Sequence, residues 1–577
     1  MKKNDFLKKL KALFIGKRPL KDRLLTALFP SLALSFILFL FGPVDLSRLA
    51  GSYVAYTVPD ILPACLKVWG AAFAAMFLVS WIAGGKLHVW LCSLFAGLAA
   101  AFYIQGNWLN IDLGALDGSA VEWQKYGDNA LIGLVIFVMI CLVPFLIRFF
   151  SRKVWKIWVI FTSALLLIMQ AVPLCMNIIQ AYRELPSDEY HYRAAKDKEF
   201  TLGKENIVVF ILDHFNPEHL AITLESYPDL LDGVRDFEYF DNFNTEYLGT
   251  FPAAAYLLTH EPYDSSIPVP EWFEKAWHSD DALSFYKQMR EAGWTTRVFN
   301  SAAYAAGDLK NEYGLIDNVE KVQGTPEFTI DRTVFRKLIK LSFYRYFPLI
   351  MKAPFRIYTG DLNGMKILSE DEQPWTGIAS IQKYLDRRLT AGDEEKVYVT
   401  YHWPGTHQPF VLDINGREAV HAVGFPEQLY GQFYVIGEYL QQMKDYHIYD
   451  SSTVIITADH GNYAYPHAVF LIKPANQRQE EMTVSHAPVS QSDFMATIAE
   501  LAGLEDGQFG RSIFAVPEDE ERERCSSVRW LDPDLPAISG KSANAMKEYC
   551  YTGDVETLHQ MVDAEDFISI PMKYSFY

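Results

Sequence analysis

Five long apolar stretches follow one another at the start of the chain. They cover roughly residues 24–41, 65–84, 87–103, 130–149 and 155–175, and charged residues are nearly absent inside them. Each is close to the ~20 residues that cross a bilayer as a helix. Soluble proteins very rarely bury five such helices in one core. The pattern therefore predicts a five-helix transmembrane domain over residues 24–176, preceded by a basic tail at 1–23.

The loops between these stretches differ in positive charge. The tail holds nine Lys and Arg residues, the second loop holds Lys86, and the fourth holds Arg148, Arg152, Lys153 and Lys156. The alternate loops carry Asp and Glu instead. By the positive-inside rule the N-terminus is cytoplasmic. Because five crossings is an odd number, residues after 176 are expected outside the cytoplasm of a multi-pass plasma-membrane protein.

The rest of the chain has another pattern. Residues 177–204 are polar and are interpreted as a linker. Short apolar runs rich in β-branched residues then suit strands buried on both faces; they lie near 206–212, 296–299, 396–402, 453–458 and 468–472. Helical patterns, such as 429–443 and 490–502, lie between them. This alternation predicts an α/β domain with a mainly parallel sheet over 205–505, with 506–577 as its C-terminal part.

Residues 329–359 mix Arg and Lys with bulky apolar side chains inside an otherwise acidic domain. One interpretation is an interfacial amphipathic segment that docks on anionic lipid. The other is an insertion that packs against the sheet or the helical bundle. The sequence leaves both open.

Charge and cysteine content narrow the class of protein. The net charge of −18 excludes the basic footprint that a nucleic-acid-binding protein needs. Of six cysteines, only Cys525 and Cys550 lie in the soluble part, and no Cys-x-x-Cys occurs. A redox site or zinc knuckle is therefore not indicated. Whether Cys525 and Cys550 form a disulfide stays open.

Acidic and histidine residues come directly after three predicted strands. The pairs are Asp213 with His214, His402 with His407, and Asp459 with His460. Each pair alone is as easily a helix cap or a satisfied polar group. In a parallel sheet, however, the carboxyl ends of strands share one edge, where ligands bind. Carboxylate and imidazole ligands together suit Zn²⁺, Mn²⁺ or Mg²⁺.

Four motifs carry a resemblance to a known superfamily. They are "NIVVFILDHFNPEHL", "FDNFNTEYLGTFPAAAYLLTH" over Phe240–His260, "TADHGN" and "SHAPVSQSDFMATIAELAGL". In order and spacing they resemble the alkaline phosphatase/sulfatase superfamily over roughly residues 206–504. With the five-helix anchor, the layout is similar to lipoteichoic acid synthases and phosphoethanolamine transferases.

The resemblance implies a nucleophile and its neighbours. Thr250, in "GTFPAAA", stands at the nucleophile position, and no cysteine lies between Cys175 and Cys525, so the formylglycine of sulfatases cannot form there. By the same resemblance, four residues would ligate one divalent cation, with a second cation left open: Asp213, Thr250, Asp459 and His460. His407 would contact the phosphate or the leaving or incoming oxygen.

Further residues are weaker candidates or departures from the family pattern. His402 and His486 are candidates for acid/base work or a second cation. His214 stands where sulfatases usually have a second Asp, and Asp213 where the phosphotransferases usually have Glu. His260 replaces a usual Gly, for which the sequence offers no explanation.

The resemblance and the topology together predict a reaction. Outside the cytoplasm no ATP is available, so a membrane phospholipid is the expected donor of phosphoglycerol or phosphoethanolamine. An envelope glycan or polymer would accept it through a phosphothreonine intermediate on Thr250. The first alternative is a sulfatase-like hydrolase, a phosphodiesterase or phosphatase. The second is a non-enzymatic membrane protein that binds envelope polymer.

Overall fold

The structure is a computed structural model. It describes residues 20–49, 58–111, 113, 123–183, 190–300, 302–324, 332–356, 377–419, 421–462, 465–477, 479–504, 508–538 and 543–574. The chain divides into two compact units. The helical unit comprises Met1–Ser187 and Pro326–Ser369, and the sheet unit comprises Asp188–Thr325 and Glu370–Tyr577.

The helical unit contains the five helices that the apolar stretches predict. They are α1 (Leu24–Ser47), α2 (Val58–Ile82), α3 (Gly85–Leu109), α4 (Gly127–Phe150) and α5 (Arg152–Arg183), and each is long and apolar enough to cross a membrane by length and composition. Their surface is itself apolar: Leu131, Phe149 and Phe161 are 61%, 84% and 66% exposed. An exposed apolar surface of this kind marks a membrane-facing protein.

Several polar side chains inside this unit form hydrogen bonds between its helices. Arg23 donates to the carbonyl of Ala83 at 2.7 Å and closes the end of α2. Trp155 Nε1 donates to Ser93 Oγ at 2.9 Å between α5 and α3. Because unpaired polar groups are costly in an apolar surrounding, these bonds fix which helix faces meet.

The described part of the basic apolar segment, residues 332–356, packs within the helical unit. Its helix, Arg332–Tyr346, is called the return helix here, and short turns at Leu349–Met351 and Ala353–Phe355 follow it. Ser342 Oγ donates to the carbonyl of Leu38 at 2.9 Å, and Arg345 pairs with Asp45. The return helix is thus an integral part of the helical unit.

The sheet unit is built on a seven-stranded sheet. Its strands are β1 (Glu205–Leu212), β2 (Glu238–Phe240), β3 (Trp294–Phe299), β4 (Lys396–Trp403), β5 (Thr453–Thr457), β6 (Phe470–Lys473) and β7 (Thr483–Ser485). They lie in the order β7-β2-β6-β5-β1-β4-β3. Only β6 runs antiparallel to its neighbours. The mainly parallel sheet is as predicted, although the three-residue strands β2 and β7 were not.

The centre of the sheet explains where polar residues gather. Val208, Val209 and Phe210 of β1 have no exposed surface, because β5 and β4 flank β1 and helices cover both faces. The parallel register pairs Ile211 with both Thr457 and His402. The loops that leave β1, β4 and β5 therefore start at the same level of one sheet edge.

Helices and short strands surround this sheet. The helices are α6 (Pro217–Ser226), α7 (Thr250–Thr259), α8 (Val269–Trp277), α9 (Asp280–Glu291), α10 (Ala302–Ala305), α11 (Gly377–Arg387), α12 (Phe425–Asp445), α13 (Phe494–Leu501) and α14 (Val555–Asp563). Part of the segment interpreted as a linker is ordered: Tyr190–Ala194 pairs with Val319–Gln323, and Thr201–Leu202 with Thr390–Ala391. These pairings tie the start of the unit to its body.

A smaller antiparallel sheet closes the C-terminal part. It consists of β8 (Glu523–Trp530), β9 (Ala545–Thr552) and β10 (Ile568–Pro571). Cys525 on β8 lies directly opposite Cys550 on β9, and a disulfide joins them.

The return helix gives a packing prediction. A Cβ at Gly106 would stand 2.4 Å from the Tyr346 ring, whereas a Cβ at Gly133 meets nothing within 4 Å. We expect Gly106→Ala to destabilise the detergent-solubilised protein by about 1–3 kcal/mol, the usual cost of overpacking. Gly133→Ala is the control and should stabilise α4 by up to about 1 kcal/mol. Thermal unfolding measures both; equal shifts would contradict this packing.

Candidate active site

A half-buried aspartate and a fully buried one mark the sheet edge. Asp213 follows β1 and Asp459 follows β5, so adjacent strands place them side by side. Asp459 Oδ1 accepts the backbone N–H of His214 at 3.1 Å and that of His460 at 2.9 Å. Its other oxygen, Oδ2, is buried and makes no hydrogen bond within the described chain. One oxygen of Asp459 thus holds the loops, and the other faces the site.

His460 lies between the two carboxylates. Its Nδ1 is 2.7 Å from the carbonyl of Gly461, which orients the ring. Its Nε2 is then 3.4 Å from Asp213 Oδ1 and 3.8 Å from Asp459 Oδ2. Gly461 is required here, because a Cβ would come within 2.4 Å of the carbonyl of Tyr465.

Thr250 reaches the same group from the start of α7. Its Oγ1 donates to Asp213 Oδ2 at 3.5 Å. The preceding residue, Gly249, has φ +147°, a backbone conformation that side chains disfavour. This glycine turns the chain so that the hydroxyl of a half-buried Thr250 faces the first aspartate.

The donor set fits a divalent cation. Ligand atoms of Asp213, Asp459 and His460 all lie within 4.8 Å of one another. Ligands about 2.1 Å from a tetrahedral zinc stand about 3.4 Å apart, close to the 3.4 and 3.8 Å separations from His460 Nε2. Asp213 Oδ1 and Asp459 Oδ2 are buried without a hydrogen bond within the described residues, which is costly unless a cation pairs with them. Two carboxylates and one imidazole are a ligand set that suits Mn²⁺, Zn²⁺ or Mg²⁺.

Charge at the site controls the protonation of its histidines. Burial disfavours a charged His460, but Asp459 and Asp213 outweigh burial and raise its pKa to about 9. Burial also opposes ionisation of Asp459, yet His460 and His402 hold the pKa of its carboxyl below the usual range. In this protein a proton on His460 balances negative charge that a cation would otherwise balance.

Three other predicted histidines lie at the same edge. His402 Nε2 is 3.6 Å from Asp459 Oδ2. The His214 ring centre lies 5.3 Å from that of His460 and 6.2 Å from that of His407. Burial, and then His460, lower the pKa of His214 to about 4, so this ring is neutral at pH 7. The half-buried His407 therefore stands at the outer side of the cluster.

His486 is not brought to this cluster. It is exposed, and its Nδ1 is 2.9 Å from Asp241 Oδ1. It lines a separate cavity of about 500 Å³ whose other charged lining residues are acidic, with Glu518 and Glu556 among them. This position does not support a direct role for His486 in the reaction at Thr250.

His260, unexplained by the sequence, ends α7. It has φ +59°, the left-handed conformation that follows many helices and that glycine usually supplies. Its Nδ1 is 3.0 Å from Asp281 Oδ2. The residue therefore has a structural role at a helix end.

The sequence reasoning missed the groups that hold the loop after β4. Gly405 has φ +53°, and a Cβ there would lie 2.1 Å from the Asp213 carbonyl. Buried Gln432 of α12 accepts from Gly405 N and donates to Gly405 O, both at 2.8 Å. Gln428, one turn earlier, donates to the carbonyl of His407 at 3.1 Å. The sequence signal that could have identified these two glutamines is their i, i+4 spacing, which puts both amides on one face of a helix.

His219 is a second missed residue. Its Nδ1 lies 2.8 Å from Thr406 Oγ1, which in turn donates to the carbonyl of His214 at 2.6 Å. Its ring stacks on Phe425 at 4.3 Å between centres. These contacts link the loops after β1 and β4, so the two halves of the site are fixed relative to each other.

Comparison with known proteins adds little beyond this geometry. No protein-family model and no curated protein matches the sequence. Similar solved structures include a phosphonate monoester hydrolase from Silicibacter pomeroyi (15% identity, 61% of this chain, 87% of that one, TM-score 0.34). A lipoteichoic acid synthase from Listeria monocytogenes is 15% identical, with 66% of this chain and 97% of that one covered and a TM-score of 0.33. A Vibrio parahaemolyticus protein of the alkaline phosphatase superfamily is 13% identical, with 67% of this chain and 85% of that one covered and a TM-score of 0.35.

The Vibrio parahaemolyticus protein is named as a member of the superfamily that the sequence motifs resemble. At TM-scores and identities this low, the likeness decides nothing about the chemistry of this chain. That chemistry rests on the geometry of its own residues.

The raised pKa of His460 predicts that cation binding releases a proton. A cation needs the neutral imidazole, which is scarce below a pKa of about 9. Apparent affinity for Zn²⁺ or Mn²⁺ should rise by about tenfold per pH unit between pH 6 and about 8. Isothermal titration calorimetry in buffers of different ionisation enthalpy counts the protons.

The control is His460→Gln, which should bind the cation far more weakly and release no proton. His486→Ala should match the unchanged protein, since His486 lies in another cavity. Binding by the unchanged protein at pH 7 without proton release would contradict the predicted role of His460.

Proposed function

We propose that this chain is a membrane-anchored, metal-dependent transferase that moves a phospholipid head group to a hydroxyl acceptor through phosphothreonine at Thr250. The observation that supports it is the Thr250 hydroxyl at 3.5 Å from Asp213, whose other carboxylate oxygen lies 3.4 Å from His460. A nucleophile beside two carboxylates and an imidazole is an arrangement for phosphoryl transfer.

Asp213, Asp459 and His460 would hold a divalent cation, with Thr250 Oγ1 as a further ligand. When bound, the cation supplies Lewis acidity that lowers the pKa of a hydroxyl and neutralises charge on a phosphoryl oxygen. The protein supplies the rest. Asp459 is fixed by two backbone N–H groups, and His460 by the Gly461 carbonyl, so little reorganisation is needed.

In the first step, Thr250 Oγ attacks the phosphorus of a lipid phosphodiester. The bond from phosphorus to the diacylglycerol oxygen breaks, and a phosphothreonine ester of the head group forms. Asp213 Oδ2, which accepts the Thr250 hydroxyl hydrogen bond, would take the proton. His407, whose ring centre lies 6.2 Å from that of His214, would protonate the diacylglycerol oxygen.

In the second step, the oxygen of an acceptor hydroxyl attacks the same phosphorus. Its proton passes to His407, the bond to Thr250 Oγ breaks, and the threonine oxygen is protonated again. The transferred group is phosphoglycerol or phosphoethanolamine, and the acceptor is an envelope glycan or polymer. A water molecule in place of that acceptor gives the competing phosphodiesterase reaction.

The choice of a lipid donor follows from the proposed location. The basic loops lie at one end of the five helices, so the N-terminus faces the cytoplasm and the sheet unit lies outside, where ATP is not available. The disulfide between Cys525 and Cys550 is typical of an exported domain. The anchor keeps the site near phospholipid.

We expect the purified protein to release diacylglycerol from labelled phosphatidylglycerol or phosphatidylethanolamine when Mn²⁺, Zn²⁺ or Mg²⁺ is present. Thr250→Ala should lower the rate by at least about 10³-fold, because the nucleophile is lost. Thr250→Ser is the matched control, and it should retain activity because it keeps the hydroxyl. Mass spectrometry of the Thr250 peptide should show the head-group adduct.

The outcomes separate the competing activities. Free phosphorylated head group in the presence of acceptor indicates a hydrolase. Diacylglycerol that appears equally with Thr250→Ala would refute the phosphothreonine route. No release from either lipid, with the cation bound, would refute lipid head-group transfer.

Orientation has its own test in intact cells. In a Cys175→Ser background, a membrane-impermeant maleimide should label Glu481→Cys of the sheet unit but not Lys153→Cys at the start of α5. Both positions are exposed, so the difference reports the side of the membrane. After the cells are permeabilised, both should react. Labelling of Lys153→Cys alone in intact cells would reverse the proposed topology.

A further inference from the structure

The C-terminal sheet approaches the segment that leads to Thr250. Ser527 of β8 accepts from Leu248 N at 3.0 Å and donates its own N–H to the carbonyl of Glu246 at 2.7 Å. These bonds form a parallel bridge between Tyr247 and Ser527. Because the two segments run parallel, the residues two positions after the bridge also lie side by side. These residues are Gly249 and Arg529.

The side chain of Arg529 confirms this register. Its Nη2 would be 3.5 Å from a Cβ at Gly249, the residue before Thr250. Its guanidinium carbon is 5.7 Å from the ring centre of Phe251, the residue after Thr250. A cation from a distant part of the chain thus lies close to the two residues that precede and follow Thr250.

The other two arginines of this region have structural partners. Arg522 donates two hydrogen bonds of 2.9 Å to Asp493. Arg524 is buried and donates to the carbonyls of Asn242 and Val489 at 2.6 and 3.0 Å. Both anchor β8 to the body of the sheet unit. Arg529 also has interactions of its own within the chain, and its side chain is partly exposed.

The packing of the C-terminal sheet fixes where Arg529 lies. Met546 pairs with Arg529 across β8 and β9, so the two side chains share a face. On that face, Met546 and Met572 pack with Tyr247, Ala253 and Tyr256, the last two from α7. The apolar contacts seat the sheet on α7 and leave the guanidinium at its beginning.

From this geometry, and resting on the proposed function, we propose that Arg529 binds the non-bridging phosphoryl oxygens of the ester that Thr250 attacks. A guanidinium matches phosphate oxygens with two parallel N–H groups and keeps its charge at all working pH values. Asp213 and Asp459 alone would repel an anionic phosphodiester. Arg529 adds a fixed positive charge on the Thr250 side, so the C-terminal sheet completes the site.

The test uses the full chain in detergent, loaded with Zn²⁺ or Mn²⁺. Inorganic phosphate is the probe, and its Kd is measured by calorimetry, which does not depend on turnover. We expect Arg529→Ala to raise that Kd by roughly 10- to 100-fold, the usual effect of losing a charged hydrogen-bond partner. Arg529→Lys keeps the positive charge but loses the planar pair of N–H donors, so its phosphate Kd should lie between those of the unchanged protein and Arg529→Ala.

Lys547→Ala is the matched control. Lys547 pairs with Val528, so it lies on the opposite face of the same sheet, where its ammonium stands 4.6 Å from the Trp530 ring centre. Its removal should leave the Kd of phosphate unchanged. Thermal unfolding of each variant shows whether the fold is retained, and Arg529→Lys covers the case in which Arg529→Ala does not fold.

A second measurement separates binding from support of the fold. Added guanidinium should restore part of the lost diacylglycerol release in Arg529→Ala and have no effect on Lys547→Ala. A phosphate Kd unchanged in folded Arg529→Ala, or no phosphate binding by the unchanged protein, would overturn the proposal. If phosphate binding depends on Arg529 but no lipid is turned over, the anion site stands and lipid head-group transfer fails.

Discussion

The repulsion between two neighbouring carboxylates is the constraint on which the site depends. Asp213 and Asp459 are brought together because β1 and β5 are parallel neighbours. Two negative charges at this separation are stable only beside positive charge, which His460 supplies in the absence of a cation. The neighbouring groups described here hold these two carboxylates in place at the sheet edge.

The fixing is done by backbone and amide groups. Two N–H groups hold Asp459, the Gly461 carbonyl holds His460, and the Gln428 and Gln432 amides hold the loop after β4. These groups are neutral, so they orient the charged residues without changing the charge of the site. A rigid frame of this kind lowers the reorganisation that charge development would require.

Much of this arrangement could be predicted from the sequence, and for a physical reason. The strands at 206–212, 396–402 and 453–458 are continuous apolar runs, and a polar residue directly after such a run must lie at the sheet edge. Asp213, His402, Asp459 and His460 therefore follow from local pattern alone. The roles assigned to them, and to Thr250 and His407, came from the family resemblance and stay predictions.

What the sequence could not supply are contacts between distant segments. Strands β2 and β7 have three residues each, too few for a periodic signal. Arg529 is about 280 residues from Thr250, and only the bridge between Tyr247 and Ser527 brings it near. His486 follows a convincing motif but pairs with Asp241, because β7 joins the sheet beside β2. The sequence also could not decide what the return helix packs against, because that contact too joins distant segments.

The return helix has a consequence for how the protein can be cleaved. The polypeptide passes between the two units three times, near residues 187, 325 and 369. A protease that cuts only the first crossing leaves the sheet unit covalently tied to the helical unit through the other two. Shedding a soluble enzyme into the medium would therefore take several cuts, and the released material would lack one continuous chain.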